Sequence, residues 1–132
     1  MKTTLSPMFA AIVVALGAAM PAQAQVTGDA KAGEGKIAMC IGCHGEQLSG
    51  GRIPSGPPDW PAAANLTPGE GSAMVRYPDE AVFVAMMRSG KRPDGTPIRV
   101  MPFESLSKMD DVDLPALYAY LKTLAPRAAG GH

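Results

Sequence analysis

The segment Cys40-Ile41-Gly42-Cys43-His44 decides the fold that the rest of this chain can adopt. Cys-x-x-Cys-His is the attachment signature of a c-type haem. On a helix, Cys43 and His44 share a face with Cys40, because residues three and four positions apart are neighbours. Two thiols on that face can form thioether bonds to the haem vinyl groups while the imidazole coordinates the iron. The motif predicts one covalent haem c, held by Cys40 and Cys43, with His44 as a metal ligand.

Two other uses of a Cys-x-x-Cys pair fit this sequence less well. A thioredoxin-like redox site belongs in a βαβ context, which the chain does not predict. A zinc site needs further Cys or His ligands, and beyond the motif the sequence offers His132 alone. A structural disulfide between Cys40 and Cys43 is the main remaining alternative.

Residues 1–24 have the pattern of a secretory signal peptide. Lys2 is followed by an apolar stretch from about Met8 to Ala19 and by the A-x-A cleavage site Ala22-Gln23-Ala24. The apolar stretch is shorter than the about 20 residues that span a bilayer, so an uncleaved anchor is the less favoured alternative. We expect cleavage after Ala24, export to the periplasm, no membrane span, and a single domain over residues 25–132 with a flexible tail from about residue 126.

Composition indicates a small core and argues against nucleic-acid binding. Aromatic residues make up only 5% of the chain. A domain of this size usually needs an additional stabilising element, which a buried haem would supply. Once Lys2 is removed, acidic side chains outnumber basic ones by a single charge. Such a balance provides no basic surplus for phosphate backbones.

The remaining pattern predicts an all-α protein with three main helices and long loops. No alternation of apolar and polar residues is long enough to indicate a sheet. We expect a helix from an Asp29 N-cap towards Cys40, a second that starts near Pro78 and ends at Gly90, and a third over Asp111–Leu124 with Asp110 as N-cap.

Gly33 and Gly35 weaken the first of these helices. Glycine inside a helix costs about 1 kcal/mol relative to alanine. Either one of the two marks the close approach of another helix, or the start of the helix is irregular.

Residues 45–71 are rich in glycine and proline and predict a long irregular loop, which could wrap one edge of a haem. A prolyl carbonyl of this loop is expected to accept the ring N–H of His44 and so orient it. The sequence does not choose among the candidates Pro54, Pro57 and Pro58. Trp60 either donates its indole N–H to a haem propionate or simply packs.

The second axial ligand decides what the iron can do, because two strong ligands favour electron transfer and an open position allows chemistry. Met101 is the leading candidate, since it lies in chain without helical pattern just before Pro102. Met86 and Met87 fall on a helix face and are expected to be core. Met74 and Met109 stay open as weaker candidates.

These elements together resemble the class I c-type cytochromes over essentially all of residues 25–132. The matching stretches, in the order that family uses, are Cys40 to His44, Arg88 to Gly95, Met101-Pro102, Asp113-Leu114 and Leu117 to Leu121. The resemblance implies a small helical fold around one covalent haem with His44 and Met101 as axial ligands. With Asn65-Leu66-Thr67-Pro68 added, the chain also resembles the monohaem cytochromes that accompany periplasmic dehydrogenases.

We therefore expect an electron carrier, not an enzyme, that cycles Fe(III) and Fe(II) and docks transiently with redox partners such as a donor dehydrogenase, an acceptor oxidase or another cytochrome. Two alternatives stay open: an enzyme or gas sensor with open iron coordination, and a fixed haem subunit of a larger dehydrogenase or oxidase. A basic group could steer an acidic partner, face the propionates or simply be solvated. Its members are Arg88, Lys91, Arg92 and Arg99.

Overall fold

The computed structural model describes residues 27–130, so the expected signal peptide lies outside the described residues. These residues form five α-helices and one 3-10 turn: α1 (Ala30–Glu34), α2 (Ala38–His44), the 3-10 turn (Ala73–Arg76), α3 (Glu80–Ser89), α4 (Phe103–Leu106) and α5 (Asp113–Thr123). Over this range the chain has isolated β-bridges but no β-strand. The expected all-α class is confirmed. Among the described helices, none has the length and apolar character needed to cross a bilayer.

The first expected helix is two helices, with a break between Glu34 and Ala38. Asp29 is its N-cap, as expected, and the Asp29 carboxylate accepts a hydrogen bond of 2.9 Å from the Lys31 N–H. α2 then carries the whole Cys-x-x-Cys-His motif and ends at His44. The break leaves α2 as a separate short helix that carries the motif.

Of the two explanations for the glycines in the first helix, the close approach of another helix applies to Gly33. A Cβ at this position would lie 2.0 Å from the carbonyl oxygen of Ala116 and 2.9 Å from the Cβ of Tyr120. Only glycine lets α1 approach the backbone of α5 this closely. A Cβ at Gly35 would meet nothing nearer than 3.4 Å, so Gly35 belongs to the irregular break.

α5 begins later than the sequence indicated. It starts at Asp113, and Val112 replaces Asp110 as N-cap, while the Asp110 carbonyl accepts a hydrogen bond of 3.0 Å from the Asp113 N–H. The physical reason is Pro115, which has no N–H to donate. With a start at Asp113 the proline lies in the first turn, where the backbone N–H groups have no partner within the helix.

α3 and the segment that follows it also differ in detail from the expectation. Asp79 is the N-cap of α3, so Pro78 precedes the helix instead of opening it, and Gly90 ends the helix in the left-handed region as expected. After Gly90 the chain also forms the short helix α4 at Phe103–Leu106, which no pattern in the sequence predicted.

The core forms where α5 packs against α3 and the 3-10 turn. The rings of Phe83 and Tyr118 lie 5.3 Å apart between centroids, and the Tyr118 hydroxyl donates to the Tyr77 carbonyl at 3.1 Å. Apolar side chains from these elements are buried around them: Met74, Met86, Met87, Leu114, Leu117 and Leu121. All of these residues except Leu114 and Tyr118 also line the cavity described below.

The C-terminal segment is hydrogen-bonded to the loop over its described part, residues 126–130. The Arg127 backbone N–H donates to the Thr67 hydroxyl at 3.0 Å, and the Arg127 carbonyl accepts from the Asn65 amide at 2.8 Å. The Gly130 N–H donates to the Ser49 carbonyl at 3.0 Å. Long-range hydrogen bonds, which the local sequence does not reveal, tie these residues to the loop.

Glu80 ties the start of the described chain to α3. Its carboxylate accepts three hydrogen bonds, from the Thr27 N–H (2.7 Å), the Thr27 hydroxyl (2.5 Å) and the Gly28 N–H (3.1 Å). Burial alone would raise the pKa of this carboxyl group, but the three hydrogen bonds outweigh burial and hold the pKa below its ordinary value of 4.5.

Gly33→Ala is expected to destabilise the protein by about 1–3 kcal/mol, because the new methyl group forces α1 and α5 apart. Gly35→Ala is the matched control and should be neutral or stabilising by up to about 1 kcal/mol, since its site has room. Urea unfolding measures both free energies. Equal losses in the two variants would contradict the close approach at Gly33.

Glu80→Gln is expected to cost about 1.5–3 kcal/mol at pH 7, because an amide has only one acceptor oxygen for three donors. In the wild type this stabilisation is present above pH 4.5 and is lost as the pH falls through the lowered folded-state pKa. The two proteins should therefore converge in acid. Unfolding free energies at several pH values test this, with Glu46→Gln as the control, since Glu46 is exposed and makes no hydrogen bond within residues 27–130. A pH-independent gap would contradict the carboxylate's role.

Candidate functional site

A largely apolar cavity of about 320 Å³ lies between α2, the loop after it, the 3-10 turn, α3, α5 and the segment before α4. Ligand pockets of this size are typically closed by apolar walls with a few polar groups. Cys40, Cys43, His44 and Met101 all line it, so the fold brings every sequence-predicted site residue to one place. The arrangement fits a flat, mostly apolar group that is attached on the α2 side.

Cys40 and Cys43 are free thiols, both half-buried at the cavity wall. Burial, with a smaller contribution from neighbouring Cys43, raises the pKa of the Cys40 thiol to about 11. Cys40 is therefore held as a neutral thiol at physiological pH. In residues 27–130 no group of three or more His, Cys, Asp or Glu is placed to hold a metal ion, so the zinc interpretation has no ligand set there.

His44 is buried, with 6% of its surface exposed, and its ring is oriented by the backbone. Nδ1 lies 2.8 Å from the carbonyl oxygen of Ala64. Because a carbonyl only accepts, Nδ1 carries the proton and Nε2 is left with its lone pair. Burial lowers the pKa of His44, and the bond to Ala64 opposes this only in part. The imidazole is thus kept neutral, which is the form that binds a metal.

The expected prolyl acceptor is wrong. Gly51 and Ala63 pair across the loop, with Gly51 N–H to Ala63 carbonyl at 2.9 Å and the reverse bond at 2.8 Å. This pair closes a loop that contains all three candidates, Pro54, Pro57 and Pro58, and each of the three is exposed. Ala64 follows directly after the pair, so its carbonyl is the one that reaches His44. This pairing lies between distant residues and has no local sequence signal.

Gly50 permits this close packing of the loop. It has φ of +76°, and a Cβ there would lie 2.6 Å from the carbonyl oxygen of Ala64. The Gly50 N–H also donates to the His44 carbonyl at 2.9 Å. Both the backbone and the ring of His44 are therefore bound to the same loop.

Met101 is half-buried and lines the cavity from non-helical chain, as the sequence indicated. The preceding residue, Val100, has φ of +78°. A β-branched residue in this region is an outlier, and such strain clusters at functional sites. Strain at Val100 points to a constraint on where the Met101 side chain is placed.

Other methionines also reach the cavity, whereas Met109 does not line it. Met74, Met86 and Met87 are buried in the hydrophobic core, and Met39 is half exposed. The expected core role of Met86 and Met87 agrees with this burial.

Three arginines line the cavity, and no acidic side chain of the described residues does. They are Arg76, Arg92 and Arg99. Arg92 donates to the Thr96 hydroxyl at 3.2 Å and to the Pro97 carbonyl at 3.1 Å, while Arg76 and Arg99 make no hydrogen bond or ion pair within residues 27–130. Sequence reasoning did not single out Arg76, because only the fold turns the 3-10 turn toward the cavity.

Arg88 and Trp60 do not line the cavity. Arg88 donates to the Ser107 and Met109 carbonyls, both at 2.6 Å, and pairs with Asp111 at 2.7 Å, so it joins α3 to the turn before α5. Trp60 is 43% exposed and packs over Gly56. Of the two interpretations of Trp60, a propionate hydrogen bond and simple packing, the structure supports simple packing.

Comparison with known proteins gives consistent matches. The family model described as cytochrome c matches residues 30–125. The chain is 33% identical over 92 residues, 65% of its length, to the fructose dehydrogenase cytochrome subunit of Gluconobacter japonicus. It is also 33% identical over 90 residues, 64% of its length, to the alcohol dehydrogenase (quinone) cytochrome c subunits of Gluconacetobacter polyoxogenes and Komagataeibacter europaeus. The chain spans only about a fifth, 19%, of these curated relatives. No solved structure matches significantly.

Proposed function

The chain belongs to the cytochrome c family of electron-transfer proteins, and from this premise we propose that it carries one electron at a time on a single covalent haem c with His44 and Met101 as axial ligands. The observation that carries the proposal is the shared cavity, which Cys40, Cys43, His44 and Met101 all line. When bound, the haem supplies the redox centre by alternating between Fe(III) and Fe(II).

The residues of α2 fit the attachment of this group. Cys40 and Cys43 present free thiols to the cavity, three residues apart on a helix. His44 presents an unprotonated Nε2, because its Nδ1 proton is donated to Ala64. These residues would hold the haem and its iron from one side without rearrangement of the helix.

Support for Met101 as the second ligand comes from its half-buried position in non-helical chain at the cavity wall. The Met101 backbone carbonyl accepts a hydrogen bond from the Phe103 N–H at 2.9 Å, which holds the non-helical segment in place. The preceding residue, Val100, has a strained backbone conformation. The buried methionines Met74 and Met86 instead belong to the apolar core. A methionine sulfur favours the ferrous state and raises the reduction potential.

Arg76, Arg92 and Arg99 would bind the two propionate carboxylates of the haem. Guanidinium groups recognise carboxylates well, and a cavity lined by arginines without acidic side chains is suited to an anionic group. Arg99 is exposed and has no partner within the described residues, so it is free to take this role.

The mature protein would comprise residues 25–132, exported to the periplasm after cleavage at Ala24, and would exchange electrons with a dehydrogenase and an acceptor. The names of the relatives, cytochrome subunits of fructose and quinone alcohol dehydrogenases, support this class of donor. They also favour a second candidate, a fixed haem subunit of such an enzyme. Co-purification with a dehydrogenase in fixed stoichiometry would select the second candidate over a free carrier.

Visible spectra of the oxidised, reduced and carbon monoxide-treated protein test the ligand assignment. We expect a far-red sulfur-to-iron band and no carbon monoxide response in the wild type. Met101→Ala should lose the band and bind carbon monoxide, because it opens one iron position. Met86→Leu is the control and should keep the band. A wild type that binds carbon monoxide readily would instead indicate an open-coordination enzyme or sensor.

Arg99→Gln is expected to lower the reduction potential by tens of millivolts, the equivalent of about 1 kcal/mol, because it removes a positive charge that favours Fe(II). Arg52→Gln is the control with the same charge change, since Arg52 is exposed and does not line the cavity. Spectroelectrochemical titration gives both potentials. A shift no larger than that of the control would remove Arg99 from the proposed propionate site.

A further inference from the structure

Two buried polar side chains in the loop, Asn65 and Thr67, bind the backbone of the C-terminal segment. The Asn65 amide donates to the Arg127 carbonyl at 2.8 Å, and the Arg127 N–H donates to the Thr67 hydroxyl at 3.0 Å. The Asn65 side-chain oxygen accepts from both the N–H and the hydroxyl of Thr67, at 2.9 and 2.8 Å. We call this set of contacts the Asn65 clamp.

The Asn65 clamp is buried and fully satisfied. Asn65 is 2% exposed and Thr67 is 1% exposed. Hydrogen bonds in such surroundings are strong and specify one arrangement, because an unpaired buried polar group is costly. The clamp therefore holds the backbone of Asn65 in one orientation.

That backbone carries the acceptor of the axial histidine. The Ala64 carbonyl and the Asn65 N–H belong to one planar peptide unit, so a rotation of the Asn65 backbone re-aims the carbonyl. The carbonyl in turn accepts the Nδ1 proton of His44 at 2.8 Å. On its other side the Ala64 residue is held by the Gly51–Ala63 pair. On the C-terminal side the Asn65 carbonyl accepts from the Ala73 N–H at 2.8 Å and from the Ser72 hydroxyl at 3.3 Å, and the clamp adds the anchor through the Asn65 side chain.

We propose that Asn65 and Thr67 are positioning residues through which the C-terminal segment at Arg127 controls the hydrogen bond of His44 and thereby the reduction potential. This inference rests on the proposed function, in which His44 binds the haem iron. A hydrogen bond to the outer nitrogen of a ligating histidine fixes its ring and raises its basicity, which favours the oxidised metal. Arg127 lies beyond residues 30–125, so one partner of the clamp falls outside the part of the chain that the family model matches.

Asn65→Asp keeps the hydrogen bonds from Thr67 and removes the one to Arg127. A carboxylate still accepts from Thr67, but it cannot donate to the Arg127 carbonyl. We expect a weaker His44 hydrogen bond, seen as an upfield shift of the Nδ1 proton resonance in the reduced holoprotein; the potential of this variant is not used, because its added negative charge itself favours Fe(III). Thr67→Val changes no charge and should give the same upfield shift together with a higher reduction potential, since it removes the hydroxyl that joins Asn65 to Arg127. Thr67→Ser keeps the hydroxyl and should restore both readouts to wild-type values.

Leu114→Ala is the control for a purely structural effect, because Leu114 is fully buried in the core but neither lines the cavity nor takes part in the clamp. It should lower the unfolding midpoint while leaving the Nδ1 resonance and the potential unchanged. The inference is overturned if Asn65→Asp and Thr67→Val behave as Leu114→Ala does. Potentials are compared only among proteins that keep the far-red band. Absence of that band from the wild type would refute the ligand assignment instead, which distinguishes the two failures.

Discussion

The hydrogen bond between His44 Nδ1 and the Ala64 carbonyl is the contact through which the parts of the site are connected. It joins the helix that carries the haem-binding motif to the long loop, and the loop is joined in turn to the C-terminal segment through Asn65. It also selects the tautomer, so that Nε2 is the nitrogen left to bind a metal. Without this acceptor, a buried imidazole would be unpaired and free to rotate. The ligand geometry is therefore a property of three segments distant in sequence.

The walls of the cavity depend on a second constraint, the close approach of α1 to α5 at Gly33. Because α2 follows α1 after a short break, this approach fixes where the motif lies relative to the core. The aromatic pair Phe83 and Tyr118 then joins α3 to α5, so the apolar walls come from elements that are already packed together. The core contains few aromatic residues and leaves a cavity of about 320 Å³. This is consistent with a domain whose apolar core is filled by its cofactor.

Local chemistry was sufficient to predict much of the fold. The N-cap at Asp29, the helix end at Gly90 and the all-α class all follow from residues adjacent in sequence, since caps and helical periodicity are local properties. The start of α5 was misplaced, because the aspartates at 110 and 111 resemble a cap while Pro115 determines where the first turn can lie. The separate helix α2 was also missed, because the sequence did not show that the chain would break between Glu34 and Ala38.

By itself, the sequence predicted a haem attachment site at Cys40, Cys43 and His44, because the motif lies in five consecutive residues. Only the tertiary structure decided that Ala64, and not a proline, accepts the proton of His44. The same holds for the turn of Arg76 toward the cavity and for the attachment of the C-terminal segment to Asn65. Each of these contacts joins residues that are far apart along the chain or depends on how whole elements are oriented. Such contacts have no local pattern, since they exist only once the chain has closed on itself.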